Sequence, residues 1–157
     1  MEDLAPFDTI VSYFDLKYGP SILVSNSDIA KDKELEKEIS ALMDLHQPDS
    51  FFVHYHNNRI SANYIYSFLS EAYVRGGHNE IMISFVFNNS DRTSGEFLRY
   101  FFSNIKNYEN QLKILTKWLH KKVEFKNLLA HIQNPRQDTM DLISYSKLQL
   151  LKMLQYK

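Results

Sequence analysis

The sequence predicts an α/β (α+β) protein, a three-layer α/β/α sandwich on a five-stranded, mostly antiparallel sheet. Three observations carry that expectation. Runs of β-branched and aromatic residues come in pairs split by turn residues, at 10–14 with 22–24 and at 51–56 with 60–69. One helical stretch lies between the pairs and a longer one follows the last strand, so helices can cover both faces. Residues 81–87, IMISFVF, are nearly unbroken apolar sequence and suit an interior strand packed on both sides.

The first strand, residues 10–14, ends at Asp15, and an Asx-type turn is expected before Gly19-Pro20. Gly19 tolerates positive φ and Pro20 presets its own φ, so the chain reverses there and resumes as Ile22-Leu23-Val24. Ser27 and Asp28 are candidate caps of a helix reaching about Leu45. Leu35, Ile39 and Leu42 fall on its inner face and Lys31, Lys33, Glu36 and Lys37 on the opposite, polar one. Proline at 48 stops it. Residues 51–56 then form a strand, Asn57-Asn58 a two-residue turn, and residues 60–69 the return strand, with Ile60, Ala62, Tyr64, Tyr66 and Phe68 on one face. Another turn is expected at Gly76-Gly77, before the strand at 81–87.

Thr93-Ser94-Gly95-Glu96 has capping-box spacing. After it, Phe97, Phe101, Ile105, Tyr108, Leu112, Leu115 and Leu119 recur in steps of three and four, with weak helix propensity predicting a break near residues 107–110. A shorter helix spans residues 125–132. Asp138 is the candidate cap of a last one over 139–155, with Ile143, Leu150, Leu151 and Leu154 inward. The two most apolar strands, the first and fifth, should be central neighbours, leaving the second and third at the edges.

Composition narrows the function classes. The chain has 157 residues, 44% of them hydrophobic, with 10 Tyr and 11 Phe, enough apolar area for a folded core and too much for a disordered chain. With 18 Lys+Arg against 19 Asp+Glu, it lacks the basic excess of a nucleic-acid binder. Zero cysteines exclude disulfides and thiolate chemistry and fit a cytoplasmic location. The opening MEDLAPFD has neither a basic nor an apolar region of the kind a secretory signal needs, and no apolar run reaches the ~20 residues of a membrane span.

The element order, opening with DLKYGPSIL, resembles the longin domain. Gly19-Pro20-Ser21-Ile22 after an apolar strand is similar to the first hairpin of longin domains in nitrogen permease regulator, folliculin-like and DENN-type proteins. Tyr73-Val74-Arg75-Gly76-Gly77 with Glu80-Ile81-Met82-Ile83-Ser84 is similar to archaeal longin-like proteins. On this resemblance residues 1–122 form the longin-like domain and 123–157 a C-terminal helical extension packed on it. It implies a non-enzymatic adaptor in small-GTPase regulation or vesicle trafficking, without a cofactor. The implied partners are a small GTPase, a longin or roadblock domain, or a second copy, with at most peripheral membrane contact. Pairing of the longin kind corresponds here to Ser21, Leu23 and Ser25 on the second strand and Lys31, Lys33 and Lys37 on the first helix.

Other candidate chemistry is thinner. His54 and His56 lie two apart on a strand and share a face, and His78 is the candidate third member of a metal set. With three ligands nameable and no acidic residue beside them in sequence, surface or interface histidines are the favoured reading. Gly76-Gly77 precedes a strand, so a hairpin turn is favoured over a phosphate cradle. No P-loop and no Gly-x-Ser-x-Gly elbow occurs, so no catalytic residue is named. Lys113, Lys117, Lys121, Lys122 and Lys126 make a basic stripe, read first as the solvated side of an amphipathic helix. The alternative to an adaptor is a small-ligand sensor with an aromatic-lined pocket.

Overall fold

Runs that alternate with period two become strands, and the order in which they pair follows their hydrophobicity. The computed structural model describes residues 7–15, 17–25, 33–56, 59–69, 78–88, 94–133 and 136–155. The strands are β1 (Phe7–Asp15), β2 (Gly19–Ser25), β3 (Ser50–His56), β4 (Arg59–Leu69) and β5 (His78–Asn88). The helices are α1 (Lys33–Leu45), α2 (Ser94–Ser103), α3 (Ile105–His120), α4 (Val123–Gln133) and α5 (Met140–Gln155). All pairings are antiparallel, in the order β2-β1-β5-β4-β3. The two most apolar strands, β1 and β5, are neighbours inside the sheet, and β2 and β3 form its edges, as the pattern predicts.

The opening hairpin turns as its residues dictate. Asp15 Oδ1 accepts the backbone N–H groups of Lys17 at 2.8 Å and Tyr18 at 3.0 Å, and Gly19 takes φ +77°. Further along, Val11 pairs with Val24 and Ser12 with Ile22, so Leu23 is an extra residue on β2. That bulge breaks the alternation and sends both Leu23 and Val24 into the same core.

Each face of the sheet has its own packing. Over one face α1 lays Leu35, Ile39, Leu42 and Met43 on Ile10, Ile65, Met82 and Val86. The other face carries Val11, Ile60, Ala62, Ile81, Ile83 and Phe87, against Phe97, Phe101, Tyr108, Leu112 and Leu119. Phe125, Leu128, Ile143, Leu150 and Leu154 of α4 and α5 belong to that same core, so residues beyond 122 pack with the sheet. Among the described residues no helix is long and apolar enough to cross a membrane.

Several local expectations need correction. The break in the long helix falls at Asn104, not at 107–110. Asn104 Nδ2 and Ser103 Oγ both donate to the Tyr100 carbonyl, at 2.9 and 2.8 Å, and so compete with the backbone ladder. Residues 107–110 stay helical because Tyr108 is buried and Glu109 pairs with Lys113 at 2.9 Å. Glu36 is not on the solvent side of α1: it is buried, accepting from Ser25 Oγ at 3.2 Å and Lys33 Nζ at 3.1 Å. Asp138 lies in a 3-10 turn, Gln137–Thr139, ahead of α5, and it is Thr139 Oγ1 that accepts the Arg136 N–H at 3.0 Å. The turns expected at Asn57-Asn58 and Gly76-Gly77, and the caps Ser27, Asp28 and Thr93, lie outside the described residues. The register does pair His56 with Arg59 across the β3–β4 hairpin.

Candidate functional site at the sheet edges

The two edges of the sheet present groups that the core does not use. At the first, no described strand pairs with the outer side of β2. Pro20 removes one backbone donor from that strand and the bulge at Leu23 twists it, two features that shorten the stretch open to pairing. Ser21 is half-buried and its Oγ donates to the Gly19 carbonyl at 3.0 Å. Leu23 is a core residue, so it contributes only backbone to the edge. Ser25 is held by Glu36 of α1. Lys33 and Lys37 are exposed on α1, Lys33 paired with Glu36, and Lys31 lies outside the described residues. The fold thus brings the β2 edge and the start of α1 together.

The second edge, β3, has neither proline nor bulge and pairs with β4 in unbroken register from Ser50 to His56. Tyr55 is exposed on it, and the ring of His46, just past α1, stacks on Phe52 with centroids 3.5 Å apart. Burial, then the neighbouring His54, holds His46 below the ordinary imidazole range.

His54 and His56 do share a face, their ring centroids 4.3 Å apart, and that face looks at α1. The third group there is Glu38, which the sequence did not single out: its Oε1 lies 3.0 Å from His56 Nδ1 and 3.5 Å from His54 Nε2. His78 does not join them. It pairs with Leu69, eight residues along β5 from the Val86 level at which His54 sits, roughly 27 Å away at the usual strand rise. Sequence distance hid Glu38, since it sits on another element one step from the inward-facing Ile39.

His56 is enclosed, its side chain 2% exposed. Its Nε2 shares a 3.0 Å hydrogen bond with Ser61 Oγ, which also accepts from Asn63 Nδ2 at 3.0 Å. The approach of Nδ1 to Glu38 is short but misaligned, and Nδ1 has no hydrogen-bond partner. Burial pushes His56 below the usual imidazole range, against the opposing pull of the Glu38 carboxylate.

The basic stripe is partly spoken for. Lys113 is paired with Glu109, and Lys122 stands 4.9 Å from the Trp118 ring centroid, while Lys117, Lys121 and Lys126 are exposed. Lys117 lies on α3, Lys126 on α4 and Lys121 in the short connection between them, all facing solvent as the charged side of an amphipathic helix pair does.

Fold and edges together define a three-layer α+β sandwich with both faces of its sheet covered by helices and both edge strands unpaired among the described residues. No protein-family model matches the chain, and no curated protein matches it either.

Proposed function

We propose that this chain is a non-enzymatic, longin-like adaptor that associates with a second sheet-bearing domain through a sheet edge and the adjoining helix. That domain is a second copy or a longin or roadblock domain, and the composite surface meets a small GTPase in signalling or trafficking. One observation carries the reading: both faces of the sheet are covered by helices, so what the sheet itself offers a partner is the backbone donors and acceptors of its edges. On the β2 side Lys33 is joined to the edge through Glu36 and Ser25, and exposed Lys37 lies one turn further along the same helix, a basic contribution that would favour an acidic partner surface. The element order β-β-α-β-β-β followed by helices supports the longin-like assignment.

Light scattering of the purified chain, alone and mixed with small GTPases encoded near it and loaded with GDP or a GTP analogue, tests the proposal. A dimer, or a complex with one GTPase that Lys33→Glu with Lys37→Glu weakens, supports it. A strict monomer that binds none of them overturns it.

A further inference from the structure

We propose that Glu38, His54 and His56 form a binding site for one divalent transition-metal cation, at the junction of α1 and the β3 edge. The three groups each offer one ligand atom, and those atoms all lie within 4.8 Å of one another. Metal–donor bonds of about 2.0–2.2 Å place neighbouring donors of a tetrahedral ion roughly 3.3–3.6 Å apart. Glu38 Oε1 stands 3.0 Å from His56 Nδ1 and 3.5 Å from His54 Nε2, within a few tenths of an ångström of that spacing. The third separation, His54 to His56, is no more than 4.8 Å, and it is the partly exposed Glu38 and His54, with His56 held by Ser61, whose rotation would bring the set to that spacing.

The enclosed His56 ring supplies a second, independent observation. When Nε2 donates to Ser61 Oγ, Nδ1 presents a bare lone pair to a carboxylate oxygen at 3.0 Å, and two lone pairs repel. When Nδ1 carries the proton instead, that proton is misaligned for Glu38 and has no partner, in a side chain 2% exposed. A cation between the three donors removes both problems. It takes the Nδ1 lone pair and the carboxylate charge together, while Ser61, backed by Asn63, holds the other ring nitrogen and fixes the tautomer.

The donors choose the class of ion. Two imidazoles and one carboxylate suit zinc, nickel, cobalt or copper, whereas calcium and magnesium prefer all-oxygen sets. Three protein ligands leave a position for water or an added donor, and with Glu38 about half exposed and His54 a third exposed, that position opens to solvent. The inference stands on side-chain geometry alone, so a monomeric protein leaves it intact.

Titration of tag-free, chelator-treated full chain with Zn2+ by calorimetry, and with Co2+ by visible absorption, tests it. One equivalent of each should bind, with d–d bands of a low-coordinate Co2+ ion. Glu38→Gln and His54→Ala, both at solvent-reachable positions, should each weaken binding at least ~10-fold while circular dichroism stays unchanged. His78→Ala should leave the affinity as it was. Absence of stoichiometric binding, equal affinity in the Glu38 and His54 variants, or loss of binding on changing His78 would each overturn the proposal.

Discussion

Tyr66 of β4 and His120 at the end of α3 are 54 residues apart in sequence, yet Tyr66 Oη and His120 Nδ1 share a hydrogen bond of 3.2 Å. The His120 ring also lies against Phe68, centroids 4.5 Å apart, so this corner fastens the last turn of α3 to the sheet. Burial, then Lys126 and Lys121, holds His120 below its ordinary value of 6.5.

A pH dependence follows. The unfolded chain takes up a proton on His120 more readily than the folded one, so this contribution to stability is complete above 6.5 and declines as pH falls below it towards the folded-state value. Urea midpoints of metal-free protein should therefore drop between about pH 7.5 and pH 5. His120→Gln should cost about 1 kcal/mol at pH 7.5 through the weakened bond and flatten the pH slope. An unaltered slope in that variant would remove His120 from the account.

Tyrosine ionisation should show the opposite sign at the alkaline end. Burial, with the Tyr100 phenol next in effect, pushes Tyr108 up to about 12, and burial also raises Tyr13 and Tyr64. The folded state then holds protons that the unfolded state releases above 10.0, so stability is lost as pH rises through and beyond that value. Spectrophotometric titration should find at least two of the 10 tyrosines, Tyr13 and Tyr108, silent where exposed tyrosines ionise, with Tyr64 delayed in the same direction.

Phe87 is the aromatic hinge of the larger core. It is fully buried, 5.2 Å from the Phe101 ring centroid and 5.0 Å from that of Tyr108. Phe87→Ala should cost about 3–5 kcal/mol through lost burial and the cavity left behind. With total stability of a domain usually about 5–15 kcal/mol, the thermal midpoint should fall by many degrees.

Gly19 tests the hairpin. Its φ of +77° disfavours any Cβ, yet a Cβ built there meets nothing within 4 Å, so the cost is conformational and not a clash. Gly19→Ala should lose about 1–2 kcal/mol and Gly19→Asn less, because asparagine tolerates the left-handed region better. Equal losses in denaturant melts would point to a different cause.

The edge of β3 makes a separate prediction for association. Tyr55 is 56% exposed on a regular strand with no lysine of its own. Tyr55→Lys should abolish any self-association that uses this edge and leave the fold unchanged, because lysine on an edge blocks pairing without touching the core. Persistence of a dimer in this variant, together with its loss in Lys33→Glu with Lys37→Glu, would assign the β2 side.

The sequence by itself determined the strands, their pairing and the turn at Gly19. These rest on local chemistry: period-two alternation, an Asx acceptor at Asp15 and the hydrophobic runs that drive β1 and β5 to the centre. Tertiary structure alone decided where the long helix breaks, which side Glu36 takes, and which residue joins the histidines. At Asn104 the choice turns on side chains competing for one carbonyl, with Tyr108 buried just beyond. At Glu38 it turns on how α1 crosses the sheet, which brings a carboxylate over β3 from 16 residues before His54 and leaves His78 at the sheet's far end. Periodicity states which face a residue occupies; only packing states which residue of another element stands opposite it.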